Sequence, residues 1–392
     1  MASSFKFTVI IPTRERADVL GPALKTVVAQ DYDDLRILVS DNFSNDPTRD
    51  VVASFNDPRI TYVNTGRRVS MSHNWEFALG HVDEGWVAFI GDDDGLLPGA
   101  IARAAEIARE YGVQAIGSRN AAYTWPDPRN QTFGTISIGL KHGVESFDAK
   151  ARLIEILHGI GSYSDLPMLY TGGFVDFSLI ARARSIDGMF NHCINPDIYS
   201  AVVIAKLADL CIYSNEPLAV GGTSKHSGGT SYFAARDPNL KDVSPAHKFL
   251  SEANIPIHPD LASSSDETLP PSIELMLYEA VLQADYFLPS LKTETSLSEQ
   301  LAIMLGKAKR RHRRELTEWG RRLARRYELD FRAVERQARR IMWRGKLRKN
   351  LLSLLGKSQT LDITGTADAP IRDVYEASRL IHGELKRRVG RR

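Results

Sequence analysis

The chain has 392 residues, 43% hydrophobic and 25% charged, enough to bury a full core and to form one large domain with a smaller companion. Two cysteines, Cys193 and Cys211, are too few for a disulfide framework and lack metal-ligand spacing, which points to a reducing cytoplasm; no run approaches the roughly 18–20 apolar residues that cross a bilayer. The net charge of +2 hides an asymmetry: residues 301–392 carry 26 Lys and Arg against 10 Asp and Glu, a net of +16, leaving −14 for residues 1–300.

From Met1 the chain runs almost at once into a strand, so no signal peptide is expected. Phe7 to Ile11 reads as a buried strand ended by Pro12, and Leu20, Leu24, Val27 and Val28 then recur at helical spacing. Leu35 to Val39 is the second strand, ending in Ser40-Asp41-Asn42. A short helix through Val51, Val52 and Phe55 follows, then the strand Ile60 to Val63 and a helix carrying Trp75, Phe77, Ala78 and Leu79. Trp86 to Gly91 forms the fourth strand, and the helix after Pro98 precedes a strand at Ala115-Ile116-Gly117. This alternation predicts an α/β fold with a mostly parallel central sheet flanked by helices.

Ligands of such sheets bind beyond the carboxyl ends of the strands. Three of those ends are polar here: Thr13-Arg14-Glu15-Arg16, Asp41-Asn42 and Asp92-Asp93-Asp94. Three adjacent carboxylates repel one another unless a cation sits among them, and hard oxygen ligands suit Mg²⁺ or Mn²⁺ that also grips phosphate oxygens. The plain alternative is a solvated acidic turn before a helix. No glycine-rich dinucleotide fingerprint or P-loop lysine follows any strand, which excludes those two nucleotide-binding patterns.

Residues 119–235 are less regular, with strand-like pieces at Met168-Leu169-Tyr170 and Phe174-Val175, and a helix opening at Asp197. The stretch Gly221 to Thr230 reads as a loop. Domain limits are expected at 1–235, with a Pro- and Ser-rich linker over 236–272 and a basic helical region over 273–392. In that region Ser296 and Glu299 fit a capping box. Leu316, Trp319, Leu323 and Tyr327 form one helical stripe, and Trp343, Leu347, Leu351, Leu354 and Leu355 another, both among arginines and lysines.

Ile10-Ile11-Pro12-Thr13, Val39-Ser40-Asp41-Asn42-Phe43-Ser44-Asn45-Asp46 and Phe89-Ile90-Gly91-Asp92-Asp93-Asp94 with Leu97-Pro98-Gly99-Ala100 resemble, in order and spacing, the inverting GT-A glycosyltransferases of family 2. The resemblance covers about the first 110 residues and weakens toward residue 230. It implies a GT-A, Rossmann-like fold, a nucleotide-sugar donor, a glycan or lipid-linked glycan acceptor, and a divalent cofactor, Mn²⁺ or Mg²⁺. By that resemblance Pro12, Thr13, Arg14, Arg16, Asp41, Arg68, Asn74 and Asp92 frame the nucleotide, with Asp93 the principal metal ligand and Asp94 and His226 completing its surroundings. Lys225 would neutralise the diphosphate leaving group, and Asp197 would be the base that takes the acceptor's proton. Alternative uses remain for Asp41 and Asp197 as helix caps, for Lys225 and His226 as solvated loop residues, and for Gly172 and Gly173 as a turn. The sequence departs from the family pattern at Asn42, Phe43, Gly91 and Pro196. Those departures keep a non-catalytic binding or scaffold protein as the rival reading, with nucleotidyl transfer as a second enzyme alternative.

The basic tail has three readings: packing or homo-oligomer contacts, an anionic membrane surface, and nucleic acid. Nucleic acid is disfavoured because no recognisable module interleaves the basic residues. The expected location is the cytoplasm, peripherally at the inner face of the membrane.

Overall fold

The computed structural model describes residues 5–127, 130–184, 187–228, 233, 252–262, 269–354 and 360–389, with side chains at 348–354 and 389 outside the description. Strands β1 (Phe7–Thr13), β2 (Leu35–Asp41), β3 (Ile60–Asn64) and β4 (Trp86–Phe89) run parallel in the order β4-β1-β2-β3. Their connections are helices α1 (Ala17–Val28), α2 (Thr48–Ala53) and α3 (Met71–Leu79). The near-continuous apolar runs of β1, β2 and β4 follow from this placement, since a sheet covered on both faces buries both sides of each strand. Phe7, Ile11, Ile37, Val39, Leu20 and Leu24 pack on one face, and Ile10, Leu38, Phe89 and Trp75 on the other. Trp75 stacks on Phe89 with ring centroids 4.3 Å apart, so it belongs to the core.

Beyond β4 the sheet becomes mixed. After the two-residue β5 (Gly95–Leu96) and α4 (Ala100–Tyr111) come β6 (Ala115–Thr124), β7 (Thr135–Gly139) and β8 (Val144–Asp148). Next are α5 (Ala149–Leu157), β9 (Phe174–Asp176), α6 (Phe177–Ala183), α7 (Pro196–Leu207) and β10 (Leu210–Thr223). β9 joins β4 to β6 with antiparallel pairing on both sides, and the long β10 runs parallel to β6 and antiparallel to β5 and β8. The parallel character expected from the sequence thus holds for the four N-terminal strands.

Several local expectations are corrected. Met168–Tyr170 is not a strand: the Leu169 N–H is taken by Ser200 Oγ and the Gly173 N–H by the Tyr170 carbonyl, at 3.0 and 2.7 Å, which makes a turn of Gly172 and Gly173. Gly221–Thr223, read as loop, closes β10. The box predicted at Ser296 is absent because its hydroxyl pairs with Ser298 at 2.9 Å and Glu299 faces His158 at 3.9 Å.

The C-terminal region contains α8 (Ile273–Phe287), α9 (Leu297–Lys307), α10 (Arg313–Arg326), α11 (Phe331–Leu354) and α12 (Val374–Val389). Leu316, Trp319 and Leu323 of the first predicted stripe are buried in a separate cluster with Leu275, Leu301, Met304 and Val334. In the second stripe Trp343 and Leu347 are exposed, while Leu351, Leu354 and Leu355 lie outside the described side chains. Part of the expected linker, residues 252–262, packs back: Leu261 enters the helical cluster and Glu252 pairs with Arg14. The expectation of helix alone after the linker is also corrected. Strand β11 (Thr360–Thr364) pairs antiparallel with β7, and α12 lays Val374, Ala377 and Ile381 against Ala23, Tyr123 and Ile138 of the sheet domain.

Candidate active site

Parallel register aligns the carboxyl ends of the first three strands, setting Thr13 beside Asp41 and Asp41 beside Asn64. Asp41, 1% exposed, accepts hydrogen bonds from Tyr62 Oη at 2.6 Å and Asn64 Nδ2 at 2.9 Å on one oxygen and from the Ser44 N–H at 3.1 Å on the other. It does not cap α2, whose first flanking residue is Pro47; Asp46 before it accepts from the Thr48 N–H at 3.2 Å. Asn42 brackets Val69 with two hydrogen bonds of 2.7 and 2.9 Å, pinning the segment that leads to α3. The next residue, Phe43, holds φ 54 where the family pattern has glycine, and its ring stays 43% exposed beside this pocket. Tyr62, Asn64 and Phe43 were not legible as site residues; the strand register supplies the first two.

The remaining nucleotide candidates divide. Pro12 is half-buried at the end of β1, level with Ser40. Arg68 donates to Glu15 at 2.5 Å on the exposed rim, and Arg14 is turned toward Glu252. Asn74 is buried, and both ends of its amide are tied to Ser40, by 2.8 Å and 3.3 Å bonds. There it braces α3 against the end of β2.

Asp92, 2% exposed, accepts from Thr13 Oγ1 at 2.8 Å and Arg16 Nη1 at 2.6 Å. Burial pushes its carboxyl up and Arg16 pulls against that, while Asp92 and Asp93 overcome the burial of Arg16 and hold its guanidinium charged. Asp93 Oδ2 accepts from Ser224 Oγ at 2.6 Å and Ser227 Oγ at 2.8 Å. Asp94 is a hub: the Gly91 N–H at 3.0 Å and the Thr171 hydroxyl meet one oxygen, and the Gly222 N–H at 2.6 Å meets the other. Burial, then the charge of Asp93, lifts the Asp94 carboxyl to about 7. Gly222 must be glycine for this contact, since a Cβ there would run into the Asp93 carbonyl.

Gly91 stands where the family pattern has its first acid. A Cβ built on it lies 2.8 Å from Asp94 Oδ2 and 2.9 Å from the Tyr170 hydroxyl. Tyr170 therefore fills the space that an acidic side chain would enter. Burial and the surrounding carboxylates Asp94, Asp93, Asp197 and Asp92 hold its phenol well above its ordinary pKa.

The side chains of His226 and Lys225 do not pair with Asp92, Asp93 or Asp94. Both pair with Asp18 in the first turn of α1, at 3.0 Å each. The carboxylates already take the serine hydroxyls and Arg16, whose Nη2 also donates to the His226 carbonyl at 2.5 Å, whereas exposed Asp18 has no other side-chain donor among the described residues. Ser224 and Ser227 are the loop residues that touch Asp93.

No three His, Cys, Asp or Glu side chains among the described residues converge as a cation cage. Asp93 Oδ1 nevertheless accepts no hydrogen bond among the described residues. Mg²⁺ and related ions commonly use one or two carboxylates and take the rest of their shell from phosphate and water. The residues thus fit a divalent ion that arrives with a diphosphate, held by Asp93, and not one held by Asp94, whose oxygens are engaged.

Asp197 lies in the first turn of α7, half-buried, and is not the cap of that helix, whose first flanking residue is Asn195. Burial raises its carboxyl, and the Tyr163 hydroxyl donates to it. Its approach segment is pinned from two sides. Glu76 on α3 accepts from the Phe190 and Asn191 N–H groups at 3.0 and 2.8 Å, Ser72 donates to the Cys193 carbonyl at 2.6 Å, and Glu279 of α8 accepts from the Cys193 thiol. Both cysteines are buried and free.

Residues 8–161 match the model of glycosyl transferase family 2. A curated relative, the GalNAc(5)-diNAcBac-PP-undecaprenol beta-1,3-glucosyltransferase of Campylobacter jejuni, is 35% identical over 116 residues, 29% of this chain and 38% of that protein. The alignment thus spans little more than a third of the relative's length. Among solved structures, S. aureus TarS 1-349 in complex with UDP-GlcNAc is 12% identical with a TM-score of 0.49, covering 80% of this chain and 79% of that one. The mannosyltransferase PcManGT from Pyrobaculum calidifontis, in complex with GDP-Man and Mn2+, is 17% identical with a TM-score of 0.42, over 87% and 88% of the two chains. Over residues 8–161, the chain is thus similar to glycosyl transferase family 2.

Proposed function

We propose that this protein is a glycosyltransferase that moves a sugar from a nucleotide-activated donor to an acceptor hydroxyl with inversion at the anomeric carbon. The observation that carries the reading is the alignment of Thr13, Asp41 and Asp92 at neighbouring strand ends, with Asp93 offering an oxygen next to them. Asp41 with Tyr62 and Asn64 forms the nucleoside side of the site, and Arg16 the cationic wall next to the carboxylates. A divalent ion on Asp93, Mn²⁺ or Mg²⁺, would supply charge stabilisation for the departing diphosphate.

In the transfer, the acceptor oxygen forms a bond to the anomeric carbon as the bond to the diphosphate oxygen breaks and its electron pair leaves with the diphosphate. Asp197 takes the acceptor's proton. Its raised affinity for a proton suits that task, and the Tyr163 hydrogen bond fixes its orientation. The relative's name specifies a glycan on an undecaprenol diphosphate, which supports a lipid-linked glycan as acceptor and a peripheral position at the inner face of the membrane. Surface glycan synthesis is the corresponding biological role.

A thermal-shift panel of nucleoside diphosphates with and without Mn²⁺ tests the donor half, with a base-selective, metal-dependent stabilisation expected. Donor hydrolysis or transfer that releases a nucleoside diphosphate and is lost in Asp93→Ala supports the reaction; release of pyrophosphate would assign nucleotidyl transfer. No stabilisation by any nucleotide and no turnover would favour a binding or scaffold role.

A further inference from the structure

Helix α11 is held to the body by the inner face of its first half. Val334 and Ala338 are buried against α9, where Gly306 permits so close an approach that a Cβ would stand 2.9 Å from the Ala338 carbonyl. Further along, Trp343 and Leu347 are 64% and 61% exposed. At 3.6 residues per turn they lie about 40° apart, on the side of the helix opposite Val334 and Ala338 and shared with Arg336 and Arg340. Between Glu335 and Asp362 the chain carries eight Lys and Arg and no Asp or Glu.

A cleft of about 510 Å³ runs beside this face, walled by Arg336, Arg340 and Arg344 at successive turns, by Gln337, and across from them by His158 and Glu299. Glu299 faces His158 at 3.9 Å and Arg336 reaches Asp330 at 3.6 Å; Arg340 and Arg344 make no ion pair among the described residues. The loop after His158 exposes Ile160 by 52%, and three residues on is Tyr163, the hydrogen-bond partner of Asp197.

We propose that this face of α11 and its cleft dock on a bilayer surface rich in anionic phospholipid. The arginines take lipid phosphates, and Trp343 and Leu347 enter the headgroup layer. The helix itself mixes exposed Trp and Leu with arginine and carries no acidic residue from Arg336 to Leu354, the composition of a helix lying in a membrane interface. A second copy meeting it symmetrically would oppose like charges. The inference goes beyond the transferase reading and stands without it, because lipid binding is measured with no donor or acceptor present.

The test is sedimentation of the full chain with vesicles of phosphatidylcholine alone and of phosphatidylcholine mixed with phosphatidylglycerol. Binding to the mixed vesicles is expected, lost at high salt, and weakened about fivefold by each of Arg340→Gln and Arg344→Gln. Trp343→Ala is expected to weaken it as well. All three side chains are exposed, and circular dichroism of each variant checks that the fold is kept. Should a variant misfold, the salt titration of the unaltered chain still decides. Equal binding to both vesicle types, no binding to either, or binding indifferent to all three substitutions overturns the proposal. Light scattering that shows a dimer broken by Trp343→Ala, without vesicle binding, overturns it in favour of a second copy.

Discussion

Replacing Gly91 by alanine tests whether Tyr170 has taken the place of the family's first acid. The new Cβ would sit 2.8 Å from Asp94 Oδ2 and 2.9 Å from the Tyr170 hydroxyl, closer than real Cβ contacts. Asp94 has little room to yield, because the Gly91 N–H, the Gly222 N–H and the Thr171 hydroxyl all hold it. Overpacking of this kind costs about 1–3 kcal/mol, or roughly 2–10 °C of melting temperature for a domain of this size. Gly91→Asp should cost at least as much, since it adds a fourth carboxylate to the three already there. Removing the phenolic oxygen with Tyr170→Phe should recover at least about 0.5 kcal/mol of the alanine penalty, a coupling that a double-mutant cycle in urea resolves. An alanine variant as stable as the unaltered chain, or strict additivity of the two substitutions, would refute the reasoning.

Arg16→Ala leaves the Asp92 carboxylate buried with Thr13 as its remaining side-chain donor, and should destabilise the protein by about 3–5 kcal/mol in thermal or urea unfolding. Asp93→Asn should keep the fold, because Ser224 and Ser227 can still donate to the side-chain oxygen, yet lower turnover by about 10²–10³ and abolish any Mn²⁺-dependent stabilisation by nucleotide. For Asp197, burial raises the carboxyl above the usual value of about 3.9. The protonated form cannot accept the acceptor's proton, so kcat/KM should fall with falling pH through a midpoint above that value. Asp197→Asn should lower kcat by about 10²–10⁴; an unchanged rate would remove it from the reaction.

The first four strands and the ends that carry Thr13, Asp41 and Asp92 were legible because buried parallel strands announce themselves as apolar runs, and polar residues at their ends stand out against them. What lay beyond them was harder. β10 carries Ser214, Asn215, Glu216, Pro217 and two glycines among its apolar residues, so no regular alternation marks it. β11 is an edge strand, half exposed, and short. At the site, the residue types of Lys225 and His226 suggested phosphate and metal, but only the fold reveals that Asp18 lies within their reach and that two serines face Asp93 instead. Tyr170 was invisible for a different reason: its relevance comes from a neighbour that lacks a side chain.

The pairing of β11 with β7 joins Ile363 to Ile136 across more than half of the chain. Until that late segment emerges from the ribosome, β7 presents an open row of backbone donors and acceptors, the kind of edge that recruits other nascent chains. Sheet completion therefore waits on a segment made long after β7, slowed by the large loop that must close, and the helices made in between have time to assemble their own cluster first.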